Sequence, residues 1–416
     1  MSMGIKIPKI KFPIKISGYS FVIKTALLVN AALIVALVIP MTTKTGQMPE
    51  INDLKGKNLS FEQLSDYFKK LSEVKGAPYA YNVLRLATLT PGVDLHLLGH
   101  IVGDELYKQK GLEGIYICTP DLQNACSHAI VTSYLYEHGA GALEDISGVC
   151  KKAPGGKTAY DQCFHGLGHG VLAYNDYDLR PAVTMCQSLA KEGGDGREDI
   201  NCVGGAIMEM VGGGFHDRNA WSKERKVYFQ TSNPLYPCTA DFIPDKLKPI
   251  CYTFLTPHLF DTLDKSIGQA GPAEYQEAIA FCDKVPRSDP NSRNACFGGF
   301  GKEFAILAIH RQILDLNSAT DEQLANVNNW CTLVKDRDGL QACLMTALGS
   351  YYWGGENDPH ISIRFCGVIT DPAYHDMCFH HLIGSVGYFI ADTKYKTKFC
   401  SDLPPGYRED CRAKLL

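Results

Sequence analysis

Sixteen cysteines constrain this chain more than any other feature. They fall at 118, 126, 150, 163, 186, 202, 238, 251, 282, 296, 331, 343, 366, 378, 400 and 411. Taken in order they form close pairs 8, 13, 16, 13, 14, 12, 12 and 11 residues apart, with gaps of 22 to 36 residues between pairs. That short-long alternation is a repeat with one unit every 33 to 49 residues. The second cysteine of each pair opens a similar run, as in CSHAIVTSYLYEHG from Cys126, CFHGLGHGVLAY from Cys163, CVGGAIMEMVGG from Cys202 and CFHHLIGSVGYFI from Cys378. The chain ends on a short copy from Cys411, and an earlier copy without cysteine starts at Asp94, DLHLLGHIVGDELY. Apolar residues recur at three and four in these runs, which predicts helices. Asp161, Asn201, Asn294 and Asp410 stand one or two residues before the cysteine as cap candidates. The first cysteine of a pair closes another helical stretch, and turn-forming residues lie between the two.

The economical reading is all-α. Disulfide-stapled helical hairpins repeat along the chain and stack into an α-solenoid or a closed α/α ring. Each staple is expected to join sequence neighbours. Closing a loop of this size contributes about 3 kcal/mol on the chain-entropy account. Hydrophobic residues at 45% and charged residues at 21% support an ordered globular chain.

The N-terminus has a different character. Residues 1–18 carry Lys6, Lys9, Lys11 and Lys15 and no acid, and read as a cytoplasmic basic segment. Residues 19–41 are apolar apart from Lys24, long enough to span a bilayer, and read as a transmembrane signal-anchor helix in contact with membrane lipid. A cleaved signal peptide is the competing reading; no clear A-x-A site follows. Residues 42–90 form a linker and leading helix, with Ser60 and Gln63 as a capping box. Residues 91–416 form the extracytoplasmic repeat domain, extracellular or periplasmic. Such a compartment is oxidising, which makes the cysteines a disulfide framework.

Histidines mark one register of the repeat. With the second cysteine as zero, offsets +2 and +6 lie one turn apart on one helix face. His96 and His100 fill both slots in the first copy, His128 fills +2 in the second, His165 and His169 fill both in the third, and His380 fills +2 in the last complete copy. Chance would put about 0.5 of the 13 histidines in sixteen such slots. The first copy was aligned on its own histidines; without it, four remain against about 0.4 expected by chance. Imidazole is the commonest metal ligand, and a pair at i and i+4 grips one ion from one face. The six are therefore metal-ligand candidates for a divalent transition metal, zinc or copper foremost and iron next. The other readings are a copied histidine that packs inside the stack and an anion site. Neither pair is H-E-x-x-H, because Leu97 or Gly166 follows the first histidine, so the metalloprotease base is absent from its usual place.

Gly166, Gly168, Gly170, Gly204, Gly205, Gly298, Gly299 and Gly301 crowd the first turns of these helices, where glycine is costly, so a neighbouring helix or a ligand must approach closely. Glu209 and Glu303 share offset +7 and are weak candidates for a catalytic carboxylate. No phosphate loop, dinucleotide fingerprint or G-x-S-x-G run occurs, and a net charge of -4 speaks against nucleic acid. Two functions remain. One is a membrane-anchored metalloprotein, as a metal-dependent hydrolase or oxidase. The other is a non-catalytic surface scaffold for a peptide, a glycan or a partner membrane protein.

Overall fold

The computed structural model describes residues 48–190, 195–213, 217–313, 316–353 and 359–416. The basic segment 1–18 and the apolar run 19–41 lie outside them. Among the described residues no helix is long and apolar enough to cross a membrane. The elements below belong to one compact unit, Glu50–Leu416.

The chain is all-helical, with no strand among the described residues. Among the described residues nine helices carry the repeat: α1 Leu95–Lys110, α2 Ala125–His138, α3 Gly156–Tyr174, α4 Glu198–Gly212, α5 Lys248–Asp261, α6 Pro290–Ala308, α7 Arg337–Trp353, α8 Pro372–Phe389 and α9 Arg408–Leu415. Each packs on the next in chain order. All eight disulfides join sequence neighbours, from Cys118–Cys126 to Cys400–Cys411. Eight staples among sixteen cysteines point to an oxidising compartment. Shorter helices ending at or beside the first cysteine, such as Leu143–Cys150, Asp321–Cys331 and Thr393–Asp402, form the other arms of hairpins. Cys118 and Cys238 depart from this pattern, following a 3-10 turn and an irregular segment instead.

The staple fixes which face of each repeat helix turns inward. The residue after the second cysteine is fully buried in copy after copy, as at Phe164, Val203, Phe297 and Phe379. Offset +2 is rotated about a quarter turn from that core face.

The caps differ from the sequence reading. Asp161, Asn201, Asn294 and Asp410 lie within helices that start earlier, at Gly156, Glu198, Pro290 and Arg408. The caps are further upstream: Asp289 accepts from Ser292 N–H, and Asp371 from Ala373 N–H. The first repeat helix runs from Leu95 to Lys110, with Asp94 as its N-cap and Gly111 as its C-cap. The leading helix Phe61–Lys75 carries the Ser60–Gln63 capping box.

Candidate metal centre

Five of the six register histidines meet. His96 and His100 descend from α1, His128 from α2, and His165 and His169 from α3. The His128 ring is central, with centroids 5.6, 5.8, 5.7 and 5.7 Å from those of His96, His100, His165 and His169. The i, i+4 pairs have centroids 4.8 Å apart on α1 and 5.1 Å apart on α3. His100 and His169 face each other across two helix spacings at 6.2 Å.

Ordinary helix packing at 8–10 Å between axes would not bring rings from three helices this close. Glycine at the crossings does. A Cβ on Gly103 of α1 would stand 2.9 Å from the Cys126 carbonyl oxygen of α2. A Cβ on Gly166 of α3 would stand 2.7 Å from the Cα of His128. The crowded glycines, which lie about two to four turns into helices that start earlier than expected, thus serve helix approach, and at Gly166 the neighbour is a histidine of the cluster itself.

The hydrogen-bond pattern sets the rings. His96 Nδ1 lies 2.7 Å from the Leu122 carbonyl oxygen, which can only accept, so this nitrogen carries the hydrogen. In the neutral ring Nε2 is then a bare lone pair, and it lies 3.2 Å from His100 Nε2. His169 Nδ1 lies 3.0 Å from Glu209 Oε2, and its buried Nε2 has no partner among the described residues. Neither ring nitrogen of His128 has a partner among them, although the residue is only 2% exposed. A carbonyl or carboxylate holding one imidazole nitrogen while the other faces inward is the usual support of a metal-ligating histidine. Burial also disfavours charge on three of the rings. It pushes His96 below its ordinary value and His128 and His165 well below, with neighbouring histidines adding to the effect at His128. His96, His100 and His165 keep some surface, which leaves a way in from solvent.

One ligand atom each from His96, His100 and His128 lies within 4.8 Å of the others. Around His165 the neighbours come from later repeats. The Phe254 ring of α5 lies 5.1 Å away, and Lys302 of α6 sits over that ring. His165 Nε2 is 3.4 Å from the sulfur of Met208 on α4.

His380 is placed elsewhere. Half exposed on α8, it lies 3.4 Å from Asp376 and 3.1 Å from Asp410 of α9. Of the two carboxylate candidates, Glu209 is 5% exposed and bonded to His169, the position of a residue that orients a ring. Glu303 is paired with Lys302. The residue absent from the sequence reading is Met208. It stands at offset +6 of its copy, the slot that holds His100 and His169, and a search for any donor atom in that register would have found it. No known family, curated protein or solved structure matches this chain.

Proposed function

We propose that this chain is an extracytoplasmic metalloprotein in which His96, His100 and His128 hold one divalent transition-metal ion. The observation that carries the reading is the pair of His96 and His100 Nε2 atoms 3.2 Å apart, with His128 completing a triad. Two nitrogens on one tetrahedral ion, each about 2.05 Å from it, stand about 3.3 Å from each other. Zinc and copper suit three imidazoles best, and iron is compatible. Three protein ligands leave a fourth position for water or substrate, the pattern of catalytic rather than structural ions. Metal-assisted hydrolysis and oxidation are the reaction classes this arrangement serves.

The same reading takes the repeat helices as a curved solenoid. Tyr388 near the end of α8 lies against Lys157 at the start of α3, with the Lys157 Nζ 4.5 Å from the ring centroid, which supports a stack that turns back on itself. Residues 19–41 anchor it in lipid with the lysine-rich N-terminus in the cytoplasm. The test is elemental analysis of the purified full chain and of His96→Ala/His100→Ala. One equivalent of zinc or copper per chain present in the wild type and missing from the double variant, with helicity unchanged, supports the reading. A metal-free wild type that stays metal-free after incubation with zinc and copper overturns it.

A further inference from the structure

We propose that His165, His169 and Met208 form a second metal position, beside the three-histidine one, that is selective for Cu(I). It rests on the metalloprotein reading but uses different ligands. His165 Nε2 and Met208 Sδ lie 3.4 Å apart. Nitrogen and sulfur bound to one ion, at about 2.0 and 2.3 Å, stand about 3.5 Å from each other at a tetrahedral angle. The third donor is His169 Nε2. That atom is buried without a partner, on a ring whose Nδ1 is held by Glu209 and whose centroid is 5.1 Å from that of His165.

The donor set decides the ion. A thioether with two imidazoles is soft, and soft sulfur ligands select Cu(I). Hard ions such as magnesium and calcium call for oxygen atoms, and the nearest carboxylate, Glu209, is committed to His169. No thiolate competes, because all the cysteines are in disulfides. Charge favours a monovalent ion too: the Phe254 ring lies 5.1 Å from that of His165, and the Lys302 ammonium sits over it, partly offset by its own partner Glu303. The register makes the same point from sequence. Met208 sits in the slot where the cysteine-free first copy carries His100 and the third copy carries His169, so the fourth repeat places sulfur where those copies place nitrogen.

The experiment is Cu(I) titration of the full chain, anaerobically and with ascorbate as reductant so that the disulfides stay intact, followed by copper K-edge X-ray absorption. The wild type is expected to bind two Cu(I) per chain and to show a sulfur shell at about 2.3 Å. Met208→Leu, which conserves volume, should remove one equivalent and the sulfur shell. His96→Ala/His100→Ala should remove the other equivalent and keep the shell. One equivalent without sulfur in the wild type, or a shell that survives Met208→Leu, overturns the second position and leaves the three-histidine reading standing. A wild type that takes up no copper and no zinc overturns both.

Discussion

Replacing His128 by leucine should stabilise the metal-free protein and remove its response to zinc, which the three-histidine position binds. The imidazole is 2% exposed and central to the cluster, and neither ring nitrogen has a partner. A buried polar group without a partner costs about 1–3 kcal/mol. A volume-conserving apolar replacement costs under about 1.5 kcal/mol in repacking. The balance favours leucine by about 1–2 kcal/mol in the metal-free state, a rise of a few degrees in melting temperature for a chain of this size. The loaded state reverses the order. At a free-metal concentration of about 100 times Kd, the wild type gains about 2.7 kcal/mol from binding, which the variant forfeits with its central ligand. Thermal unfolding followed by helical circular dichroism, after chelation and again with excess zinc, measures all four states. A histidine kept for packing gives the opposite result. His128→Leu would then destabilise the metal-free protein, or would retain the zinc-induced shift, and either result refutes the reasoning.

Glu209→Gln should weaken Cu(I) binding about 10- to 100-fold in a competition titration, because the residue orienting His169 is altered while the ligands remain. His380→Ala should leave metal content unchanged and stability within about 1 kcal/mol, since its carboxylate neighbours are at the surface; loss of metal would place His380 at the centre after all. Reducing all eight staples should unfold the repeat. Their loops do not overlap, each contributes about 2.5–3 kcal/mol, and the total of roughly 20 kcal/mol exceeds the usual net stability of a domain; retained helicity after full reduction would contradict this. Metal-free stability should fall as pH is lowered from about 6.5 towards 4. His258, stacked on Phe229 and near Arg225, is lowered by burial from 6.5 to about 4, so in that window the unfolded chain binds the proton and the folded one does not. His258 contributes about 3 kcal/mol of this loss, and His258→Phe should lessen the fall of stability across the window by that amount in urea unfolding; an unchanged profile would refute it.

The cysteine spacing carried most of the fold. A disulfide across a short loop leaves two helix ends nowhere to go but side by side, so the pairing and the hairpins follow from eight separations. Helix starts were less legible. Asp161 looks like a cap because it precedes a cysteine by two residues, yet α3 begins at Gly156 and leaves the Asp161 carboxylate buried, where burial pushes it up to about 6. The cap pattern is local, whereas where a helix starts depends on the loop before it and the staple behind it. Cys118 follows a 3-10 turn and Cys238 an irregular segment, so neither staple closes onto a preceding α-helix.

The site divides along the same line between local register and three-dimensional closure. Offsets +2 and +6 place a residue on one face by helix geometry alone, so the histidine row is visible in sequence. Whether the row converges depends on how closely successive helices approach, and that is set by Gly103 and Gly166, whose neighbours no spacing rule identifies. Between α1 and α3 the glycines draw three helices together and the row becomes a cluster. At α8 the equivalent slot has Asp376 and Asp410 beside it, and His380 becomes a surface ion-pair residue. The same register therefore yields a buried, partnerless imidazole in one copy and a solvated one in another. Met208 shows the complementary case. Its slot is right and its element is wrong for a search confined to nitrogen, and only its distance to His165 reveals that sulfur has taken the place of a ring.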